Sequence, residues 1–497
     1  MSGRISLAIL ALGGQGGGVL ADWVLAVATA NGFVAQGTSV PGVAQRTGST
    51  IYYIELYPDT GQQPIMALSP VPGDVDIVIA SELMEGGRAL QRGFVKTGHT
   101  TLISSTHRVY AIAEKSARHD GRRPSERILE AARARAGRFI GFDMEEAATK
   151  ASSMISSVML GALAASNALP FPRESWEAAI QAGGIAVAAN MKGFAAGLEA
   201  TLTPAPALRS ADPMPVPTSQ AGRALARRVS TELPPLAQRN ATEGVKRLMD
   251  YQDADYAHLY LDRLKPIAAL DMGESDYRLT SETARGLALW MSFEDTMRVA
   301  DLKTRDTRLA RVRTEVRATD QQLLDVTEYM HPRLVEVCET LPRPIGTFIL
   351  ASPGVKCLLE PMFRNGRHVT TTSVRWFLLL WLLARTRRYR RWSLRYHEEQ
   401  ARITSWLALI ADLGQSNLGA ATALAECQSL IKGYSDTFER GLRQYGLISA
   451  AIARHRQNPS LARHIIALRD AALVDEHDIA LNAALAALDP EPTLIAA

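Results

Sequence analysis

Cysteine is scarce in this sequence. Only Cys338, Cys357 and Cys427 occur among 497 residues, and no two of them have the C-x-x-C spacing of metal sites and redox dithiols. An iron–sulfur cluster is held by several closely placed thiolates, so we expect this chain to hold no cluster of its own. Scattered free thiols are typical of a reducing compartment, and we expect a cytoplasmic protein.

Excess charge and long apolar runs are also missing. The net charge of +4 is small for this length and gives no argument for a nucleic-acid partner. The apolar segment 374–384 is shorter than the roughly 20 residues that cross a bilayer. The histidines lack the spacings of metal sites, and no nucleophile elbow occurs. We therefore expect no membrane span, no metal site and no complete catalytic set in this chain.

The most informative feature that is present is a glycine-rich stretch between an apolar run and a helical pattern. Residues 5–12 read as a strand, and the pattern from Val19 onwards reads as a helix. Glycine permits positive φ and close approach of a ligand, and a helix N-terminus favours an anion. The sequence therefore predicts a loop that accepts an anion, most simply a phosphate, at Gly13, Gly14, Gln15, Gly16, Gly17 and Gly18.

Two common phosphate loops fit these residues poorly. A Walker A loop ends in Gly-Lys-Ser/Thr, which does not follow here. A dinucleotide fingerprint aligns with Gly16, Gly18 and Ala21, but residues 36–38 read Gln-Gly-Thr where an acidic ribose-binding residue is expected. The residues alone leave three alternatives for this loop: a nicotinamide site, a purely structural tight turn, and a phosphate-facing or cofactor-facing loop of another kind.

Short β-branched runs alternate with helical patterns up to about Gly137. This alternation predicts an α/β fold with a doubly wound, mostly parallel sheet at the N-terminus. Later in the chain, apolar spacings of three and four predict a mainly α-helical C-terminal domain, with one short strand over residues 346–350. The predicted strands are 5–12, 33–36, 50–56, 75–80 and 100–105. The predicted domains are 1–202 and 219–497, joined by a proline-rich linker over 203–218.

Several segments together resemble the gamma-type domain of 2-oxoacid:ferredoxin oxidoreductases. These are the glycine loop, the stretch P-G-V-A-Q-R-T-G at 41–48, the strand that ends in Ser81-Glu82, and the helix 156–164. The segment K-G-Y-S-D-T-F-E-R-G at 432–441 is similar to a signature in the long beta subunits of indolepyruvate (aryl-pyruvate) ferredoxin oxidoreductases, with Ser435 in place of a glycine and Phe438 in place of a histidine. The resemblance covers about the first two hundred residues well and the rest in patches.

The resemblance implies that the chain is the smaller subunit of an enzyme that oxidatively decarboxylates an aryl 2-oxoacid to an acyl-CoA, with ferredoxin as electron acceptor. A larger partner subunit would carry thiamine diphosphate, Mg²⁺ and the iron–sulfur clusters. This chain would hold none of them and would be inactive alone, while the glycine loop would receive coenzyme A. Two rival functions remain: a stand-alone nicotinamide- or flavin-binding oxidoreductase, and a helical scaffold or interaction protein.

Two pairs of residues outside the glycine loop are candidate site residues. Gln45 and Arg46 lie in the glycine-flanked segment 41–48, and the resemblance implies that they border the partner's active site without acting as a base. A solvated or structural ion pair is the alternative for Arg46. Ser81 and Glu82 end the fourth predicted strand, at the edge where open α/β sheets bind ligands. Ser81 is equally expected as the N-cap of a helix that begins near Leu83.

Two segments of the C-terminal half have more than one reading. The arginine-rich stretch 385–395 would suit RNA or phosphate if isolated, but such a run is more often a solvated helix face or a salt-bridged subunit contact. In the 432–441 segment, Asp436, Glu439 and Arg440 are expected to form an internal ion pair that positions the turn.

Overall fold

The computed structural model describes residues 3–40, 50–110, 114, 124–203, 214–271, 276–316, 318–319 and 321–488. The chain divides into two compact units, Met1–Asp212 and Pro213–Ala497. Most of the predicted linker lies outside the described residues.

A six-stranded sheet forms the centre of the first unit. Its strands are β1 (Ile5–Ala11), β2 (Phe33–Val40), β3 (Thr50–Pro58), β4 (Ile77–Ala80), β5 (Thr101–Ser105) and β6 (Arg138–Phe142). Their spatial order is β2-β3-β1-β4-β5-β6. β1, β4, β5 and β6 pair in parallel, whereas β3 pairs antiparallel with both β1 and β2. The predicted mostly parallel sheet is confirmed, although β6 was not predicted.

Helices cover both faces of this sheet. They are α1 (Gly17–Ala30), α2 (Leu83–Gln91), α3 (Ser125–Arg135), α4 (Met144–Lys150), α5 (Ile155–Ala165), α6 (Arg173–Ala182) and α7 (Val187–Leu202). Side chains of β1 alternate between the faces: Leu7 and Ile9 share a core with α1 and α5, while Ala8 and Leu10 share one with α2 and α3. β1 is buried on both faces, which explains its nearly continuous apolar sequence.

Small residues let α5 and α7 approach each other closely. A Cβ atom on Gly161 would lie 2.1 Å from the carbonyl oxygen of Phe194, and one on Gly197 would lie 2.1 Å from that of Val158. The abundance of glycine, alanine and serine in residues 152–201 therefore allows backbone-to-backbone packing in this layer.

The second unit is mainly helical. Its α-helices are α8 (Gln220–Glu232), α9 (Pro235–Tyr251), α10 (Ala254–Ala268), α11 (Arg278–Met291), α12 (Thr296–Lys303), α13 (Asp306–Glu315), α14 (Leu334–Thr340), α15 (Arg343–Ala351), α16 (Pro353–Leu359), α17 (Val374–Arg385), α18 (Leu394–Gly414), α19 (Leu418–Glu426), α20 (Ser435–Arg454), α21 (Leu461–Ala472) and α22 (Ile479–Leu488). Its main core includes the buried side chains of Trp290, Trp406 and Tyr260. The predicted helical character of this region is confirmed.

The strands of the second unit lie elsewhere than predicted. Residues 346–350 are part of α15, so the short strand predicted there is wrong. Pro344 suits the first turn of a helix, where its missing N–H costs nothing, and a four-residue apolar run alone does not distinguish strand from helix. The strands of this unit are β7 (Thr327–Met330) and β8 (Arg367–Thr370), which pair antiparallel. Among the described helices, none is long and apolar enough to span a membrane.

Candidate functional site

The carboxyl ends of β1 and β4 form a topological switch point. These two strands are parallel neighbours, and the helices that follow them lie on opposite faces, because α1 shares its core with Ile9 and α2 shares its core with Leu10. In open α/β sheets a crevice forms where consecutive connections diverge in this way, and ligands bind in it. The predicted loops, residues 12–18 and 81–82, both lie at this point.

Gly16 and Gly17 have structural reasons to be glycine. Gly16 is the N-cap of α1 in the left-handed conformation, with φ +72°, and a Cβ atom there would lie 2.7 Å from Ser156 Oγ. Gly17 is buried, and its Cβ would lie 2.6 Å from the Cβ of Ala11 and 2.7 Å from Tyr52 Cε2. Neighbouring protein atoms therefore leave no room for a side chain at these two positions, whether or not a ligand binds.

Gly13, Gly14 and Gly18 are different, because they have room. Gly13 and Gly14 are exposed, and no atom would lie within 4 Å of a Cβ on either, although Gly14 has φ +85°. A Cβ on Gly18 would lie at ordinary contact distance from Tyr52, 3.5 Å from its hydroxyl and 3.6 Å from Cε1. Packing within the described chain does not explain the missing side chain at Gly13, so the rim of the loop is where a ligand has space to approach.

The N-terminus of α1 is open to an anion. Gly16 offers no side-chain cap, and the first turn contains no acidic residue. The first N–H groups of a helix have no partner within the helix, and they carry partial positive charge. Phosphate or carboxylate oxygens are the natural acceptors for these groups.

The N-terminus of α2, by contrast, is closed by the chain itself. Glu82 is the N-cap, and its carboxylate accepts hydrogen bonds from the N–H groups of Met84 and Glu85, each at 2.8 Å. Burial raises the pKa of this carboxyl, and the backbone donors oppose that rise. The expectation that Ser81 caps this helix is wrong, because Glu82 occupies the N-cap position and Ser81 lies one residue before it, where its hydroxyl bonds to the β1 loop.

Gln15 and Ser81 form hydrogen bonds across the crevice, between the loop after β1 and the end of β4. The N–H of Leu12 donates to Gln15 Oε1 and to Ser81 Oγ, each at 3.2 Å, and the Ser81 hydroxyl donates to Gln15 Oε1. These bonds join the β1 loop to the end of β4. The two side chains therefore fix the shape of the glycine loop, and as a ligand-binding pair they stay a prediction.

The structure adds residues to the site that the sequence did not single out. Tyr52 in β3 and Ser156 in α5 form the walls against which Gly16 and Gly17 pack. Beyond β5, Ser105 Oγ lies 2.7 Å from His107 Nδ1 and accepts from the Met144 N–H at 3.0 Å. Burial lowers the pKa of His107. No local sequence signal marks these residues, because their roles come from strand neighbours that are distant along the chain.

Some candidate residues are not placed at this crevice. Gln45 and Arg46 lie outside the described residues, so their role stays a prediction. His99 pairs with Asp76 at 2.8 Å, near the start of β4, and so lies at the other end of that strand. In the part of the chain that the structure describes, no group of three histidine, cysteine, aspartate or glutamate side chains is arranged to hold a metal.

The 432–441 segment is held by a neighbouring helix. Asp436 pairs with Arg333 at 2.9 Å, and Ser435 Oγ donates to Glu336 Oε1 at 2.9 Å, so the ion pair of this segment is made to α14 and not to Arg440 as predicted. Ser435 has φ +49°, in the left-handed region. The resemblance has a glycine at this position, and the backbone conformation gives a physical reason for one.

The arginine-rich stretch has mixed roles. Arg390 and Arg395 are buried, in ion pairs with Asp295 and Glu339 respectively. Arg388 is exposed and lies over the ring of Tyr389. The stretch is therefore partly structural and partly a solvated surface.

Comparison with known proteins finds a family model similar to part of each unit. Residues 6–200 match the family model described as pyruvate ferredoxin/flavodoxin oxidoreductase, and residues 237–451 match a family of unknown function. The first unit is therefore similar, over residues 6–200, to the pyruvate ferredoxin/flavodoxin oxidoreductase family. No curated protein matches the sequence.

Solved structures of low identity also match. A pyruvate oxidoreductase subunit from Thermotoga maritima is 16% identical with a TM-score of 0.28, covering 39% of this chain and 96% of that chain. The gamma subunit of a keto/oxoacid ferredoxin oxidoreductase from Geobacter sulfurreducens is 20% identical with a TM-score of 0.28, covering 40% and 97%. A 2-oxoglutarate:ferredoxin oxidoreductase from Magnetococcus marinus, with 2-oxoglutarate, coenzyme A and succinyl-CoA bound, is 16% identical with a TM-score of 0.31, covering 56% and 46%.

Proposed function

We propose that the chain is the smaller subunit of a 2-oxoacid:ferredoxin oxidoreductase that acts on aryl-pyruvates such as indolepyruvate. The observation that carries the proposal is the family match over residues 6–200, which spans nearly the whole first unit. The C-terminal motif with its resemblance to indolepyruvate enzymes supports the aryl substrate. The enzyme would convert the 2-oxoacid to an acyl-CoA and deliver its electrons to ferredoxin.

Within this enzyme, the glycine loop would bind phosphate groups of coenzyme A. The open N-terminus of α1 and the uncrowded backbone at Gly13 support this role, because amide groups there have no competing side chain. Gln15 and Ser81 would hold the loop in its binding shape. Gln45 and Arg46 would border the active site of the partner.

The residues of this chain do not fit the redox cofactors. Cys338 and Cys427 are buried and Cys357 is exposed, and none has a second cysteine nearby in sequence. The larger partner subunit would therefore hold thiamine diphosphate, which supplies the carbanion chemistry, together with Mg²⁺ and the clusters.

The topology argues against the rival nicotinamide site. In a classic dinucleotide fold the second strand lies beside the first, which brings its ribose-binding carboxylate to the glycine loop. Here β3 separates β2 from β1, so the end of β2 is two strand spacings away, about 9–10 Å. A flavin site has no specific observation in its favour.

An exposed apolar face of α17 supports a protein partner. Val374, Leu378 and Leu382 follow each other at helical spacing and are 84%, 51% and 52% exposed, while Leu380 and Ala384 are buried. Residues 343–395 contain eleven Lys or Arg and one Glu, in a chain of net charge +4. An exposed apolar stripe in so basic a segment fits the apolar, acidic surface of a partner chain, which we propose is the larger subunit.

The proposed activity is tested by reconstitution. The chain is produced alone and together with a long neighbouring reading frame that carries ferredoxin-type cysteine runs, and viologen or ferredoxin reduction is followed with indolepyruvate, phenylpyruvate and pyruvate. We expect no activity and no cluster iron in the chain alone, and activity that depends on coenzyme A in the complex. Cluster iron in the isolated chain, or a bound flavin or nicotinamide, would contradict the proposal.

Partner binding through α17 makes a separate prediction. Leu378→Glu is expected to lower the affinity for the larger subunit by about tenfold or more, because a charge replaces an apolar contact, while the melting temperature of the isolated chain is unchanged. The matched control is Val474→Glu, at a position 72% exposed on another part of the unit. Equal affinity of both variants would show that this face is not the contact, and loss of a homodimer in the isolated chain would assign the face to a second copy.

A further inference from the structure

A large cavity in the second unit lies apart from the glycine loop. Its volume is about 1340 Å³, which exceeds the roughly 300–1,000 Å³ of typical small-molecule pockets. Apolar side chains of α12, α14 and α17 form much of the wall, including Val299, Val335 and Leu380. Tyr434 and Phe438 of the 432–441 segment line it as well. The cavity lies within residues 237–451, the region that matches a family of unknown function.

A buried arginine lines this cavity. The side chain of Arg395 is 9% exposed, and its guanidinium carbon lies 3.8 Å and 4.2 Å from the ring centroids of Phe293 and Phe438. Nη1 donates to both carboxylate oxygens of Glu339, at 3.0 and 2.9 Å, and Nε lies 2.8 Å from Glu399 Oε1. The rings and carboxylates therefore fix the plane of the guanidinium group.

Two nitrogens of this arginine make no hydrogen bond. Among the described residues, Nε and Nη2 of Arg395 are buried without a hydrogen-bond partner, although Nε lies within ion-pair distance of Glu399. A buried donor without a partner is unfavourable, and a guanidinium nitrogen is best matched by a carboxylate oxygen.

We propose that this cavity binds a bulky apolar carboxylate, whose carboxylate accepts from Arg395 Nη2 and whose apolar body packs against the walls. The rings of Phe293 and Phe438 hold the donor in place, since the guanidinium carbon lies over both of them. The site is independent of the proposed function of the glycine loop, because its residues all belong to the second unit and its ligand binds to the chain alone.

The probes that test this site are 1-naphthaleneacetate, its neutral analogue 1-naphthaleneacetamide, and acetate. Titration calorimetry on the full-length chain is expected to show one binding site for 1-naphthaleneacetate, with at least tenfold weaker binding of the amide and of acetate. The amide keeps the shape and loses the charge, and acetate keeps the charge and loses the apolar body. Absence of binding by 1-naphthaleneacetate at millimolar concentration, or equal binding of acid and amide, would overturn the proposal.

Two variants locate the bound probe. Arg395→Lys keeps the charge and loses the planar fork, and it is expected to weaken 1-naphthaleneacetate binding at least tenfold. Because Arg395 also packs in the interior, Val335→Trp gives a second test: Val335 lines the cavity and is 39% exposed, so the indole is expected to fill the ligand space without unfolding the chain. Val474→Trp, at an exposed site away from the lining, is the matched control. Unchanged binding in Val335→Trp would place the probe elsewhere and overturn the proposal.

Discussion

Replacing Gly13 by alanine is expected to raise the KM for coenzyme A of the assembled enzyme by about tenfold or more, and to leave the melting temperature of the chain unchanged. The new methyl group meets no protein atom within 4 Å, and the backbone at Gly13 has ordinary φ, so the fold gives no reason for a loss of stability. A phosphate that lies against the backbone would meet that methyl group directly, and a tenfold effect corresponds to about 1.4 kcal/mol.

Gly17→Ala is the opposite case and completes the test. Its methyl group would lie 2.6 Å from the Cβ of Ala11, which is fixed in β1, so we expect a loss of about 1–3 kcal/mol of stability from overpacking. Gly18→Ala, with only an ordinary contact to Tyr52, is the control for a helix-start substitution. Steady-state kinetics with coenzyme A and the 2-oxoacid varied separately, together with thermal unfolding, distinguish the outcomes. If Gly13→Ala affects neither KM, the loop shapes the domain without binding the coenzyme.

Arg390→Met is expected to destabilise the second unit by about 3–5 kcal/mol, because it leaves a buried carboxylate without its counter-charge. The side chains of Arg390 and Asp295 are 4% and 9% exposed, and their closest atoms lie 2.6 Å apart. Nη1 of Arg390 also donates to the carbonyl oxygen of Tyr251 at 2.8 Å and to Gln252 Oε1 at 2.7 Å. One substitution therefore removes an ion pair and two further hydrogen bonds.

Urea unfolding followed by circular dichroism measures this effect, with Arg388→Met as the matched control from the same stretch. Arg388 is exposed, so its substitution is expected to change stability by less than about 0.5 kcal/mol. If both variants unfold at the same urea concentration, the Arg390–Asp295 pair contributes little to the fold. That result would also indicate that the arginine-rich stretch 385–395 is a solvated surface.

The order of strands and helices in the first unit could be predicted because apolar periodicity is a local property. The alternating runs predict β1 to β5 nearly at their observed positions, and Asn31-Gly32 follows the end of α1, with Gly32 at φ +77°. The direction of β3 could not be predicted in this way. Pairing is decided by partners distant in sequence, and the antiparallel insertion of β3 between β1 and β2 has no local signature.

The position of the candidate site could be predicted from the sequence, but the role of each residue in it could not. The glycines of the loop look alike in sequence, yet Gly17 is restricted by Tyr52 and Gly13 is not restricted at all, and only the packed neighbours distinguish them. The same reason separates Ser81 from Glu82, since both are plausible caps and only the strand-to-helix geometry selects the glutamate. No local sequence pattern predicts the cavity in the second unit, because the residues that line it come from many helices.

The position of β1 in the middle of the sheet has a consequence for synthesis on the ribosome. β1 is made before both of its neighbours, β3 and β4, so about 70 further residues must be made before Ala80 completes the second neighbour. At typical elongation rates this takes roughly 4–14 s. The antiparallel neighbour β3 is complete only at Pro58, and until then a strand that is apolar on both faces has no native partner on either side. Residues 5–11 therefore stay open to non-native contacts until both neighbours have been made.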